Sequence, residues 1–199
     1  MRRPVLLVLV VLALWGLLHW ITRGTGQTTP PGVLVTDAPR QDPISGPLQR
    51  IRVGKFILTA RATYRMRARV LSREDYSLDA GAVLAPVDLA VGWQRMSDSA
   101  VLKHIRIRQH GRFYFWSTAK YPIPRRQIET ESANMHIIPA NEEVRRTLDK
   151  VHAGQVIGLS GELVDANGPG GMTWRTSLTR NDTGGGACEL FYVQSLTLQ

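Results

Sequence analysis

The chain has a single cysteine, Cys188, among 199 residues. One thiol cannot close an intramolecular disulfide, which excludes a disulfide-stapled secreted scaffold. A lone thiol outside the cytoplasm is a liability unless it is covered. Cys188 starts an apolar run through Leu190 and Tyr192 and is expected to be buried. Ligand spacing for a metal is also missing. His19, His104, His110, His136 and His152 are dispersed along the chain, so no zinc site is expected, nor any cofactor. Walker-type and dinucleotide-binding glycine patterns are absent.

Charge is missing over a defined stretch. From Pro4 to Thr22 no residue carries a formal charge, and Met1-Arg2-Arg3 precedes this run. At about 1.5 Å per helical residue the stretch reaches roughly the 30 Å of a bilayer core. Trp15 and Trp20 fit an interfacial aromatic belt, and the basic start fits a cytoplasmic N-terminus. A cleaved signal peptide would have a shorter apolar core and a small-x-small cleavage site, whereas this run ends in His19-Trp20-Ile21-Thr22-Arg23. Residues 1–23 therefore read as a retained single-pass anchor in the inner membrane, placing the remainder in the periplasm or at the cell surface.

Residues 24–47 are rich in Pro, Gly and Thr and lack apolar periodicity, as a flexible tether does. The exported domain is assigned to 48–199. With 43% hydrophobic and 21% charged residues, the chain as a whole is that of a globular protein.

Within 48–199 the dominant pattern is period-two. Tyr64, Met66, Ala68 and Val70 alternate with Arg65, Arg67 and Arg69, which predicts a strand over 63–71 with three arginines on one face. Ser72 to Trp93, which contains the run Pro86 to Val91, reads as a loop with a short helix, because Pro86 suits a first helical position. Ile105–Gln109 and Arg112–Trp116 read as a hairpin turning at His110-Gly111. Ser132–Ile138 is a further strand. Asn141 caps a helix with a Val144, Leu148, Val151 stripe. Gln155–Val164, Trp174–Thr179 and Leu190–Leu198 complete the strands, with Gly158 and Gly161 marking a bend or bulge. Strands, one helix, then strands is the order of an OB-like barrel, in which the helix lies between the third and fourth of five core strands. Residues 72–104 and 117–131 would then be insertions.

Three constellations are candidates for function. From Arg50 to Arg73 the chain carries eight basic residues and no acid before Glu74. Arg65, Arg67 and Arg69 could grip carboxylates or phosphates, or pair internally with Glu129, Glu131 or Glu142. Ser132, Asn134 and His136 share one strand face and could position a ligand, supply a base, or form a polar network. The segment from Trp174 to Glu189 sets Arg175, Ser177 and Thr179 on one face before a glycine triplet. Its Asp182-Thr183-Gly184 resembles the aspartic-protease tripeptide, but the apolar strand that should precede such a motif is replaced by Arg180-Asn181.

The leading expectation is an anchored binding or accessory module for an envelope protein or an anionic ligand. The alternatives are a tethered hydrolase using His136 with Cys188 or Asp182, and an extracytoplasmic nucleic-acid-binding module.

Overall fold

The computed structural model describes residues 29–199 apart from Thr183 and Gly185. The apolar run at 4–22 lies outside the described residues. Among those described, no helix is long and apolar enough to cross a membrane.

The described chain is mainly β. Its strands are β1 (Arg40–Pro43), β2 (Arg50–Val53), β3 (Phe56–Asp75), β4 (Val87–Gly92), β5 (Arg106–His110), β6 (Phe113–Ser117), β7 (Ser132–Pro139), β8 (Val156–Asn167), β9 (Thr173–Trp174) and β10 (Glu189–Leu198). The helices are short: α1 (Ser99–Leu102), α2 (Arg125–Thr130) and α3 (Glu142–Leu148). Pairings β3–β4, β4–β7, β7–β10, β10–β8 and β8–β3 close part of the sheet into a ring, with β7–β10 parallel. β1 and β2 extend the sheet along β3, and β9 extends it along β8.

The alternation of β3 is the organising signal. Ala62, Tyr64, Met66 and Ala68 point into the ring, while Arg61, Thr63, Arg65 and Arg67 point out. The strand is 20 residues long, well beyond 63–71, because it serves two stretches of sheet. Register shifts at Ala60/Ala62 and Val70/Ser72 bend it from one to the other. Val87, Leu89 and Val91 of β4, Met135 and Ile137 of β7, Ile157, Leu159 and Leu163 of β8, and Phe191 and Val193 of β10 fill the interior. Each such side chain contributes roughly 1.5–3 kcal/mol. Helix α3 begins where expected, with the Asn141 side chain accepting from the Val144 N–H, and adds Val144 and Leu148 to this core.

Four local expectations are corrected. Val87–Gly92 is a strand, because Val87, Leu89 and Val91 alternate into the core and both edges find partners; Pro86 precedes it rather than opening a helix. The β5–β6 turn lies at Gly111-Arg112, both with positive φ, so the hairpin takes His110 into its last pair. The hairpin belongs to an insertion between two ring strands, β4 and β7. Only Thr173 and Trp174 form a strand in the stretch after β8; from Arg175 on, hydrogen bonds to Asp165 replace sheet pairing.

The expected tether is partly laid onto the domain. The Gly32 N–H donates to Asp98, the Leu34 and Val35 N–H groups reach the Ser97 hydroxyl, and Val35 is 1% exposed. β1, also inside 24–47, pairs with β3.

Candidate functional site

Two places gather the polar residues that the sequence singles out. The first is the outer face of β4 and β7. Asp88 and His136 are directly opposite in register, as are Ala90 and Asn134, and Gly92 and Ser132. The period-two pattern therefore sets Ser132, Asn134 and His136 in one row, but the row is covered. The Gln109 amide donates to the Asn134 carbonyl oxygen at 2.7 Å, Tyr114 donates to the Ser132 hydroxyl at 3.2 Å, and Trp174 lies against the His136 ring at 4.6 Å between centroids. All three side chains are buried.

Arg112, at the tip of the β5–β6 hairpin, closes this cover. It has φ +72°, a left-handed conformation that L-residues adopt at a cost of about 1–2 kcal/mol. Its side chain compensates. Nη1 donates to Asp88 Oδ1 at 3.0 Å and to the Ala85 carbonyl at 2.7 Å. Nη2 reaches both oxygens of Asp79 at 2.9 Å, and the guanidinium stacks on Tyr76 at 3.6 Å from the ring centroid. Asp88 is fully buried, and His136 Nδ1 lies 2.8 Å from the same Asp88 oxygen. Arg112, Asp88, Asp79 and Tyr76 escape a reading of the sequence, because they meet only through the register and the hairpin tip. Gly111 was the signal available: it locates the turn that places Arg112.

Cys188, half-buried rather than enclosed as expected, adjoins this network. The Asn134 amide donates to its sulfur at 3.6 Å, and the thiol faces the Arg112 carbonyl at 3.8 Å. Burial pushes the Cys188 thiol up to about 11, so it stays protonated at neutral pH, the opposite of an activated nucleophile. His136 is turned to Asp88 and Trp174, and Asp182 accepts from the Ser177 hydroxyl at 2.7 Å. Arg175 pairs with Asp165 at 2.8 Å.

A half-buried ion pair adjoins Tyr64 of the ring interior. Arg180 pairs with Glu189 and lies over the Tyr64 ring, 4.9 Å from its centroid, with Trp93 beyond. Burial, opposed by Arg180, pushes the Glu189 carboxyl up to about 7. The folded state therefore binds this proton more tightly than the unfolded chain between the ordinary value of 4.5 and about 7. Stability is expected to fall as pH rises through that window. Urea unfolding at pH 5, 6, 7 and 8 should show the decline, and Glu189→Gln should flatten it. Equal slopes for the two proteins would remove Glu189 as the cause.

The second place is an open groove of about 410 Å³ on the opposite wall. Register builds it. Arg40 of β1 faces Arg65 of β3, Arg65 faces Ser160 of β8, and Ser160 faces Ser195 of β10. One row along, Arg67 faces Gly158, which faces Thr197. Arginines of β1 and β3 thus border one side of a floor of hydroxyls and a glycine from β8 and β10, with Asp37 on the lining. Arg40 pairs with Asp42 at 2.8 Å, and Arg67 donates to the Gln199 side chain. Among the described residues neither Arg65 nor Arg67 meets a carboxylate. Arg69 does not share the groove. It is 7% exposed and donates to the Ser97 carbonyl and the Ser99 hydroxyl beneath the chain entry. The acids expected as internal partners are engaged elsewhere: Glu129 with Arg125, Glu142 with Arg145, and Glu131 with the Arg95 N–H.

No protein-family model, curated protein or solved structure matches this chain.

Proposed function

We propose that the chain is an OB-like barrel module, anchored in the inner membrane through residues 4–22, that binds an acidic patch of an envelope protein or another anionic ligand outside the cytoplasm. The OB-like reading rests on strand order. Numbered within the ring, β3, β4, β7, β8 and β10 run 1-2-3-5-4 and return to 1, with α3 between the third and fourth.

One observation carries the binding reading: Arg40 and Arg65 sit directly opposite each other on adjacent strands, beside Arg67, over a floor of small polar residues. Like charges in that position weaken a sheet. An anion between the guanidinium groups converts the repulsion into charge-assisted hydrogen bonds. Two further observations weigh against the alternatives. The outer face of the second and third strands, which OB barrels present to oligonucleotides, lies here under Gln109, Arg112 and Trp174. The protonated Cys188 thiol and the covered His136, held between Asp88 and Trp174, weigh against a hydrolase.

The test is crosslinking of the full-length protein in its native membrane, wild type beside Arg65→Glu/Arg67→Glu. Both side chains are exposed, so the variant should unfold at the same urea concentration as the wild type. Loss of two charge-assisted contacts should reduce recovery of the crosslinked partner by at least about tenfold. Undiminished recovery would eliminate the groove as the binding surface.

A further inference from the structure

The outward face of the β5–β6 hairpin sets two large apolar side chains beside basic ones. Pairs Arg106–Ser117, Arg108–Phe115 and His110–Phe113 all point outward, while Ile107–Trp116 and Gln109–Tyr114 point toward the barrel. Phe113 is 45% exposed and Phe115 53% exposed, and their ring centroids are 6.2 Å apart. Among the described residues neither Arg106 nor Arg108 pairs with a carboxylate. The hairpin cannot fold away to hide the rings, because Arg112 clamps its tip and Gln109 and Tyr114 fasten its inner face. A rigid ribbon with two adjacent phenylalanines framed by arginines combines the two groups that bind a bilayer surface: apolar rings for the acyl boundary and cations for phosphate.

The chain's entry point argues for the same occupant. Gly32 is fixed on Asp98, the residue that caps α1, and α1 leads through Lys103 and His104 into the first strand of the hairpin. Only residues 23–28 separate the apolar run from Thr29, a reach of at most about 25 Å. An anchor at 4–22 would therefore hold the root of the hairpin close to the bilayer.

We infer that the outer face of the β5–β6 hairpin docks on a bilayer surface containing anionic phospholipid, with Phe113 and Phe115 at the acyl boundary and Arg106 and Arg108 on headgroup phosphates. This rests on the anchor reading above. It leaves the Arg40–Arg65–Arg67 groove, on the opposite wall, turned toward partners.

The full-length chain is placed in nanodiscs of phosphatidylcholine alone, or with phosphatidylglycerol at one part in three, and hydrogen exchange of residues 106–117 is followed. Exchange is expected to be slower in the anionic discs. Arg106→Glu/Arg108→Glu should cut that protection by at least roughly tenfold, and Phe113→Ser/Phe115→Ser should reduce it, with the barrel amides unchanged in both. Equal exchange in both discs, with the chain retained in them, would overturn the docking and leave the anchor standing. Protection of the hairpin by a single-stranded oligonucleotide without lipid would overturn it in favour of nucleic acid. Extraction of the full-length chain from native membranes by alkaline carbonate would defeat the anchor reading, and the docking with it.

Discussion

Replacing Arg112 by alanine is expected to cost about 3–5 kcal/mol of unfolding free energy, the usual consequence of leaving a buried charge without its partner. The stranded charge is Asp88, which has no exposed surface and sits 3.0 Å from the Arg112 guanidinium. Asp79 is 40% exposed in its side chain, so water replaces much of what it loses and its share is small. Two further variants separate backbone from side chain. Arg112→Gly removes the same guanidinium but tolerates the left-handed φ of +72°, and should be about 1 kcal/mol more stable than Arg112→Ala. Arg112→Lys keeps a cation but not the fork that serves Asp79, Asp88 and the Ala85 carbonyl together, and should fall between wild type and alanine. Urea denaturation gives all three values. A loss below about 1 kcal/mol for Arg112→Ala would show that Asp88 keeps its place in the fold without the Arg112 guanidinium.

Gly161→Ala is expected to cost about 3 kcal/mol or more, at the upper end for overpacking, because the obstacle is backbone. A Cβ at Gly161 would lie 2.0 Å from the Tyr192 carbonyl oxygen and 3.0 Å from the Gln194 nitrogen. Both belong to β10 at its register shift between Val193 and Ser195, while Gly161 pairs with Tyr64 on its other side. Relief requires separating β8 from β10 or from β3, and either opens the ring. Gly158→Ala is the control. Its Cβ would meet the Thr197 side-chain oxygen at 2.7 Å, an exposed group that can rotate away, so the cost should stay below about 1 kcal/mol. Thermal unfolding of the two variants side by side decides the point. Similar losses would show that the clash at Gly161 relaxes as readily as the one at Gly158.

What was legible in the sequence, and what was not, divides by the range of the interaction that encodes it. Alternation is a neighbour-to-neighbour signal, and it located the inner and outer residues of β3 and the shared face of Ser132, Asn134 and His136. Capping is equally local, and Asn141 marked α3. The strand at 87–92 was hidden because Pro86 and a short apolar run fit a helix start or a strand equally well, and only the neighbours β3 and β7 decide between them. Arg69 was hidden for the same reason: alternation aligns it with Arg65 and Arg67, but the shift after Val70 and the segment 94–99 enclose it. At the sites, the residues were visible and their circumstances were not. Nothing near His136 in sequence announces that Asp88 will face it or that Arg112 will cover it.

The ring also imposes an order of events. β10 comes last among the strands yet lies between β7 and β8, and Ile57 near the start of β3 pairs with Asn167 at the end of β8. Contacts so distant along the chain must wait while intervening segments lose entropy, which makes such topologies slow to fold. Until residues 189–198 are in place, β7 and β8 each keep an unpaired edge, the feature that templates aggregation. The fold is thus withheld until β10 is present, and a truncation removing this strand should leave an open, adhesive sheet rather than a smaller version of the domain.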